Sequence, residues 1–430
     1  RRSCTPSWTA ITSSTSTARP PRSDCTSVHD AVPSREARTP RGTPRTYQGQ
    51  PVRHGHQETS QSREAPGQDV RDHRDVRSRQ TQGRRGLPLP VRFTILAAIF
   101  VAVTLAGLAL GSVNIPLGDV MTVVTGGTNV DPVSMTIIHD VREPRTITAL
   151  LVGAALGMSG LEMQTLFRNP LADPYVLGIS SGASLGVALV VLSTSASAGA
   201  ATFASGLGIG PDLLIMVAAA LGAAVVLLIV MLAGRFIHSS TILLLLGVMI
   251  GYFVSSGVTV LLSRASPELI AQYTRWQFGS YHGVTWQNLR VMVPIIVAMI
   301  LASLLLAKPL NALLLGERYA QTMGMNLKVV RTLLVASTAI LAGAATAFCG
   351  PIGFLGIAIP HLTRGVLGTA DHRHLLPGCI LTGSSLALMA DILAQLPGDD
   401  VLPVNAVNAV FGAPVVMVIL IRWYREAEAT

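Results

Sequence analysis

Apolar runs of about twenty residues recur along the chain from Phe93 onward, separated by short polar segments. A helix of that length crosses the roughly 30 Å hydrocarbon core of a membrane, and it satisfies its own backbone hydrogen bonds while doing so. The pattern predicts an all-α, polytopic membrane protein with about ten transmembrane helices. The predicted spans are 91–112, 146–167, 175–193, 212–234, 241–262, 288–307, 329–349, 352–367, 375–396 and 405–423.

Residues 1–88 show no comparable hydrophobic periodicity and are rich in Arg, Ser, Thr, Pro, Gln and Gly. Such a segment buries too little apolar surface to offset the entropy of ordering. We predict a disordered basic tail over 1–88 and a transmembrane domain over 89–430. Two interpretations of the tail stay open, a genuine cytoplasmic extension and a misassigned start. Its pair His54 and His56 is interpreted as incidental rather than as a metal site.

The net charge of the chain comes from this tail. Residues 1–92 hold 17 of the 32 Lys and Arg and 8 of the 23 acidic residues, whereas 93–430 balance at 15 against 15. The basic excess therefore gives no reason to predict a nucleic-acid partner. Charged residues make up 13% of the chain, against about 25% in a typical soluble domain, which favours the membrane class.

The distribution of basic loop residues predicts the orientation. With the tail in the cytoplasm, ten Lys and Arg fall on inner segments and five on outer segments. Inner loops of membrane proteins carry the excess of positive charge. We therefore predict a multi-pass protein of the cell membrane with both termini in the cytoplasm. The outer residues in this count are Arg142, Arg145, Arg264, Arg275 and Arg290.

Motifs of known catalytic chemistry are missing from the sequence. There is no Walker-type phosphate loop, no His-Glu-x-x-His zinc motif and no nucleophile elbow. We predict a protein without a catalytic residue, cofactor or metal of its own, so the energy for any driven transport must come from another chain. Cys349 and Cys379 lie in apolar runs and are interpreted as packing residues.

Several motifs, in order along the chain, closely resemble the FecCD family of permeases of ATP-binding-cassette (ABC) importers, which move iron-siderophores, haem and cobalamin. The motifs are REPR at 142–145, LVGAALGMSG at 151–160, QTLFRNPLADP at 164–174, YVLGISSGASLG at 175–186, LNALLLGE at 310–317, MGM at 323–325, GPIGFLG at 350–356, DHR at 371–373, LPV at 402–404 and GAP at 412–414. Together they cover about 93–423. The resemblance implies a fold like that of the cobalamin-importer permease, a dimer of two copies in membrane lipid, two ATP-hydrolysing subunits inside and a substrate-binding protein outside.

The polar stretch 308–331 between the sixth and seventh spans mixes leucines with charged residues, so it stays outside the bilayer and presents apolar side chains to a partner. The resemblance implies that this stretch docks on the ATP-hydrolysing subunit. A solvated connecting loop is the alternative. The predicted coupling residues are Leu313, Gly316, Glu317, Ala320 and Gly324.

Arg142 and Arg145 are predicted at the outer mouth, where guanidinium groups can pair with carboxylates of a binding protein. The resemblance implies such pairing with glutamates on the two lobes of that protein. The alternative is interfacial anchoring by snorkelling. Gln395 stands where some family members carry another arginine, which leaves Arg264 or Arg275 as candidates for the docking face.

Small residues at helix-packing spacing predict close contacts between helices, because backbones approach one another where side chains are missing. These are Gly153 and Gly157 in the second span and Gly178 and Gly182 in the third. The resemblance adds further residues to the predicted packing and pathway set. They are Gln164, Asn169, Pro170, Asn405 and Asn408, the last two in place of a Gly and a Thr common in the family.

The roles of the polar residues in this set stay open. Asn405 and Asn408 are predicted to hydrogen-bond across the dimer interface, with cargo contact as the weaker alternative. Glu162 either lines the inner gate or is a hydrogen-bonded carboxylate inside the bundle.

For function, we predict an importer permease for iron-siderophore or haem-type chelates, with cobalamin as the alternative cargo. A stand-alone secondary transporter is the rival from another class, and it needs paired intramembrane carboxylates. Glu162 and Asp391 are the only candidates, and they fall near opposite ends of the predicted spans.

Overall fold

The structure, a computed structural model, describes residues 87–111, 113, 115–127, 129–196, 211–237, 239–395 and 401–428. Most of the predicted tail, with its pair His54 and His56, lies outside the described residues. All regular elements within those ranges are helical. The α-helices are α1 Leu89–Ala109, α2 Leu117–Val124, α3 Pro132–Thr136, α4 Glu143–Phe167, α5 Ile179–Ala196, α6 Pro211–Phe236, α7 Ser240–Leu262, α8 Pro267–Gln277, α9 Trp286–Leu305, α10 Ala307–Leu314, α11 Glu317–Thr322, α12 Leu327–Cys349, α13 Leu355–Leu367, α14 His372–Gln395 and α15 Val404–Glu428.

Each of the ten predicted spans coincides with a described helix. In the described ranges, seven helices are long and apolar enough to cross a membrane. Shorter apolar stretches, Ile179–Ser193, Leu355–Leu367 and Val404–Val418, match the third, eighth and tenth predicted spans. The prediction of an all-α, polytopic membrane protein is confirmed.

The helices run between two ends of the bundle, which we name by what each carries. The hairpin end carries α10 and α11, and the opposite end carries α2, α3 and α8. A π-helical turn, Ile137–Arg142, joins α3 to α4 without a break, so this continuous helix reaches from the opposite end to Phe167.

Helix α4 lies at the centre of the bundle and is buried along nearly its whole length. Its small residues allow backbone-level contact with two neighbours. A Cβ atom on Gly153 would overlap the carbonyl of Gly383 in α14, and one on Gly160 would overlap the carbonyl of Gly356 in α13. Hydrocarbon gives no hydrophobic drive for helix association, so such close packing holds the helices together.

Two of the apolar helices begin inside the bundle rather than at its surface. The chain leaves α4 at Arg168 in the left-handed conformation, φ 47°, and turns back through 169–178 before α5 starts. The second interruption, 350–354, precedes α13 and meets the first, because Ile352 donates its backbone N–H to the Tyr175 hydroxyl at 3.4 Å. Irregular backbone inside a membrane domain is tolerated where protein surrounds it.

Replacing Gly153 with Ala is expected to lower the stability of the folded protein by about 1–3 kcal/mol, because the new methyl group meets a backbone carbonyl that cannot rotate away. Thermal unfolding of the detergent-purified protein measures the change. Gly257→Ala in α7 is the matched control, since a Cβ there meets nothing within 4 Å. Equal melting temperatures for the two variants would contradict the packing described here.

Candidate functional site: a coupling hairpin joined to the bundle

Helices α10 and α11 form a short hairpin outside the apolar spans. Leu310, Leu313 and Ala320 are buried between the two helices and the bundle. Gly316 makes the turn between them with φ 119°, and Gly324 ends the hairpin with φ 82°. Both angles lie in the region that glycine adopts without steric cost, which explains glycine at these two positions.

The exposed surface of this hairpin carries large apolar side chains beside the polar Arg318 and Gln321. Leu315 is 65% exposed, Tyr319 52% and Met323 63%, and Leu314 is also exposed. Large apolar side chains grouped on a surface are typical of a protein interaction site. We name these four apolar residues the hairpin patch.

The predicted coupling residues divide into two groups in the structure. Leu313 and Ala320 lie inside the hairpin, and the two glycines shape its turns. Glu317 accepts a hydrogen bond from the Arg331 guanidinium at 2.7 Å. The predicted coupling residues did not include Leu315, Tyr319 and Met323. The turn at Gly316 separates Leu315 from the helix of Tyr319, so no single helical period links the three in the sequence.

Hydrogen bonds tie the hairpin to the start of α14. The Asn311 amide donates to Asp371 at 2.6 Å, and its carbonyl oxygen accepts the backbone N–H of His372 at 2.8 Å. Hydrogen bonds from the backbone of Arg373 and from Asn311 lower the pKa of the Asp371 carboxyl from its usual value. The hairpin is therefore fixed to the loop that opens α14.

The same hairpin is joined to the end of α4. Arg168 donates to the carbonyl of Leu313 at 3.2 Å. The imidazole of His372 lies between Asn311 and α4, with Nδ1 2.8 Å from Asn311 Oδ1 and Nε2 2.9 Å from Thr165 Oγ1. The hairpin is thus hydrogen-bonded to two helices of the bundle core, α4 and α14.

Glu162 lies in a cage of hydroxyl groups inside the bundle. Its carboxylate accepts hydrogen bonds from Ser337 at 3.0 Å and from Thr338 at 2.8 Å, both on α12. Ser303 on α9 lies 2.7 Å from Ser337, oxygen to oxygen. Helices α9 and α12 flank the hairpin in sequence, so this cage fastens both sides of the hairpin to α4. Of the two interpretations, this geometry supports the hydrogen-bonded carboxylate.

Gln164 links α4 to α13. It donates to the carbonyl of Ile357 at 3.2 Å and accepts from Arg364 at 2.8 Å. Asn169 accepts the N–H of Leu171 at 3.0 Å and so shapes the turn that Pro170 begins.

The predicted packing glycines lie at three helix contacts. Gly157 meets Ile359 of α13 and the Cys379 backbone, Gly178 meets the backbone of α7, and Gly182 meets Gly222 in α6. These positions join α4, α5, α6, α7, α13 and α14 at close range.

Arg142 and Arg145 lie inside the bundle, 3% and 4% exposed. Arg142 donates to the carbonyls of Leu108 and Ala109 at 2.8 and 2.7 Å, so it caps the end of α1, where carbonyls lack helical partners. The sequence analysis placed both arginines at a docking face. That role stays a prediction, and in this structure both guanidinium groups bond to their own chain.

Arg145 forms a buried network with α14. Its Nε lies 3.0 Å from a carboxylate oxygen of Asp391, and it also donates to Gln395. The Gln395 amide donates in turn to Asp391 at 3.0 Å. Glutamine thus acts as both acceptor and donor here, a combination that a second arginine cannot provide because guanidinium only donates.

The two asparagines of α15 have different surroundings. Asn405 donates to the carbonyl of Pro351 at 2.6 Å and accepts the N–H of Gly353 at 3.0 Å, so it holds the interruption before α13. Asn408 is buried, and its amide nitrogen has no hydrogen-bond partner among the described residues. It lines a small apolar cavity with Phe354, Phe411 and Met389.

Taken together, these helices form a polytopic membrane protein with interrupted spans and an external hairpin. The chain belongs to the FecCD transport family, whose model matches residues 99–422. It is a multi-pass permease subunit of the ABC importer class and not the ATPase.

Named relatives and a solved structure agree with this assignment. The chain is 36% identical over 328 residues to the vitamin B12 import system permease protein BtuC of Shigella boydii serotype 18, covering 76% of this chain and 94% of the relative. It is 39% identical to BtuC of Klebsiella pneumoniae, covering 66% and 82%. A solved inward-facing metal-chelate type ABC transporter matches with TM-score 0.66 and 28% identity, covering 77% of this chain and 99% of that chain.

Replacing Asp391 with Leu is expected to destabilise the protein by about 3–5 kcal/mol, because the Arg145 guanidinium then stays buried without its anion. The double variant Arg145→Met/Asp391→Leu removes both charges and is expected to lose less. Thermal unfolding of the purified variants compares them. A double variant less stable than the single one would rule out the ion pair as the reason.

Replacing Glu162 with Leu is expected to cost about 1–3 kcal/mol, because the hydroxyls of Ser337 and Thr338 lose their acceptor. Glu162→Gln is the matched control, since its amide oxygen still accepts a hydrogen bond, and it is expected to retain most of the stability. Chemical unfolding in mild detergent measures both. Equal losses would show that the hydroxyl cage contributes nothing.

Proposed function

We propose that this chain forms, with a second copy of itself, the membrane pathway of an importer for cobalamin or a closely similar bulky metal chelate. The named relatives support cobalamin, because they import vitamin B12 and match this chain at 36% and 39% identity. The solved metal-chelate type transporter supports the wider cargo class. The iron-siderophore or haem cargo predicted from the sequence is not confirmed and becomes the second candidate.

The hairpin patch carries this proposal, since an exposed apolar surface outside the membrane spans requires a partner. The partner that fits is an ATP-hydrolysing subunit, one for each of the two copies. Its movement passes through Asn311 to α14 and through Arg168 to α4. The hairpin end then faces the cytoplasm, and a substrate-binding protein meets the opposite end.

The second copy is proposed to cover the exposed apolar face of α15. Val410 and Met417 on this helix are exposed. Asn405 is engaged within its own chain. Asn408 is buried against α13 and α14 with an amide donor unused among the described residues, so the apolar face of α15, and neither asparagine, is the proposed contact between copies.

The rival secondary transporter has less support from the geometry. Glu162 is held by hydroxyl groups and Asp391 by Arg145, so the two carboxylates belong to separate networks. A shared ion site would need them to face one cavity.

The cargo is tested with the full complex in proteoliposomes, containing this chain, its ATPase and its binding protein. Cobalamin is expected to accumulate only with ATP, and ferric siderophore and haem are compared in parallel. Accumulation of an iron chelate alone would overturn the cargo proposal. Uptake by this chain under an ion gradient without ATP would overturn the importer mechanism.

The double variant Leu315→Ser/Met323→Ser is expected to reduce ATPase binding more than tenfold. Each apolar side chain buried at a contact contributes about 1.5–3 kcal/mol, and 1.4 kcal/mol corresponds to a factor of ten. Co-purification of the ATPase subunit measures the loss. Leu117→Ser/Val124→Ser on α2 is the matched control, because these two apolar residues are also more than half exposed but lie at the opposite end of the bundle. Retained ATPase binding in the hairpin variant would contradict the docking proposal.

A further inference from the structure

A cavity of about 270 Å³ opens at the hairpin end between α6, α7 and α12. One part of its wall is basic, with Arg235, Lys328 and Arg331. Another part is apolar, with Met231, Leu243 and Val335. The hairpin patch does not include this cavity, so the docking proposed above leaves it unexplained.

The basic wall favours an anion. Arg235 lies in the last turn of α6, Lys328 in the first turn of α12, and Arg331 one turn further along. Glu317 neutralises part of this charge through its pair with Arg331, which leaves an excess of two positive charges in the wall. The first turns of α7 and α12 add the positive ends of two helix dipoles, and the last turn of α6 adds one negative end.

The apolar wall indicates which kind of anion fits. A free phosphate gains nothing from Met231, Leu243 and Val335. A phospholipid carries both an anionic headgroup and acyl chains, and large apolar side chains continue away from the cavity on the exposed surface of α6. These residues are Leu228 and Leu232.

The depth of the cavity also suits a headgroup. Helix α6 has 26 residues and is therefore about 39 Å long at 1.5 Å per residue. The hydrocarbon core is roughly 30 Å thick, so the last turn of α6, with Arg235, reaches the headgroup level. Basic cavities between helices at this level are suited to anionic lipid headgroups.

We propose that this cavity binds one anionic phospholipid of the adjacent leaflet, with its headgroup against Arg235, Lys328 and Arg331 and its acyl chains along α6. Arg331 is shared with Glu317 of the hairpin. The bound headgroup therefore touches the residue that also positions the hairpin.

The test uses the full-length protein equilibrated with mixed micelles of phosphatidylglycerol and phosphatidylcholine, and native mass spectrometry counts the retained lipids. The wild type is expected to retain phosphatidylglycerol in preference to phosphatidylcholine. Arg235→Gln/Lys328→Gln is expected to lower that preference roughly tenfold to thirtyfold, from the usual contribution of two basic residues near an anionic lipid. Arg373→Gln, an exposed arginine at the same end, is the matched control and is expected to keep the preference.

Inorganic phosphate added in excess distinguishes a lipid site from a general anion site. It is expected to leave the phosphatidylglycerol bound, and its displacement of the lipid would overturn the proposal. Two other results would also overturn the proposal. One is equal retention of phosphatidylglycerol and phosphatidylcholine by the wild type, and the other is a double variant that prefers phosphatidylglycerol as strongly as the wild type does. If the double variant fails to fold, the single variants Arg235→Gln and Lys328→Gln are each expected to lose part of the preference, and unchanged preference in both contradicts the site.

Discussion

Polar groups inside a membrane protein must find partners within the protein, because hydrocarbon offers none. Helix α4 carries Arg145, Glu162 and Gln164 into the bundle interior, and each meets this constraint through a different neighbour. Arg145 pairs with Asp391 of α14, Glu162 with hydroxyls of α12, and Gln164 with Arg364 of α13. These bonds, together with the glycine contacts, fix α4 to three helices in a single relative arrangement.

That arrangement explains how an external hairpin can act on the bundle. Asn311 and Leu313 in the hairpin are bonded to α14 and to the end of α4, and the Glu162 cage holds the helices on either side of the hairpin. A rigid connection is useful in a subunit that hydrolyses nothing itself. Under the docking proposal, force applied to the hairpin patch moves α4 and α14 instead of bending a flexible loop.

The sequence predicted the spans well and the polar contacts poorly, for physical reasons. Apolar runs are local, so the ten predicted spans coincide with described helices. Arg142 was expected at a docking face, and its acceptors lie about thirty residues earlier in the chain, at Leu108 and Ala109. The Glu162 cage depends on Ser337 and Thr338, about 175 residues away. No local pattern reveals such pairings, and the same holds for the role of Gln395 as partner of both Arg145 and Asp391.

The most direct test of the rigid connection is a pair of distances measured by double electron-electron resonance in the assembled transporter. One pair of spin labels, on Gln321 and Arg373, which are both exposed, reports the position of the hairpin relative to α14 within one copy. The other pair, on Gln321 of both copies, reports the movement between copies. The account predicts that ATP binding changes the second distance and leaves the first unchanged. A change within one copy as large as the change between copies would contradict it.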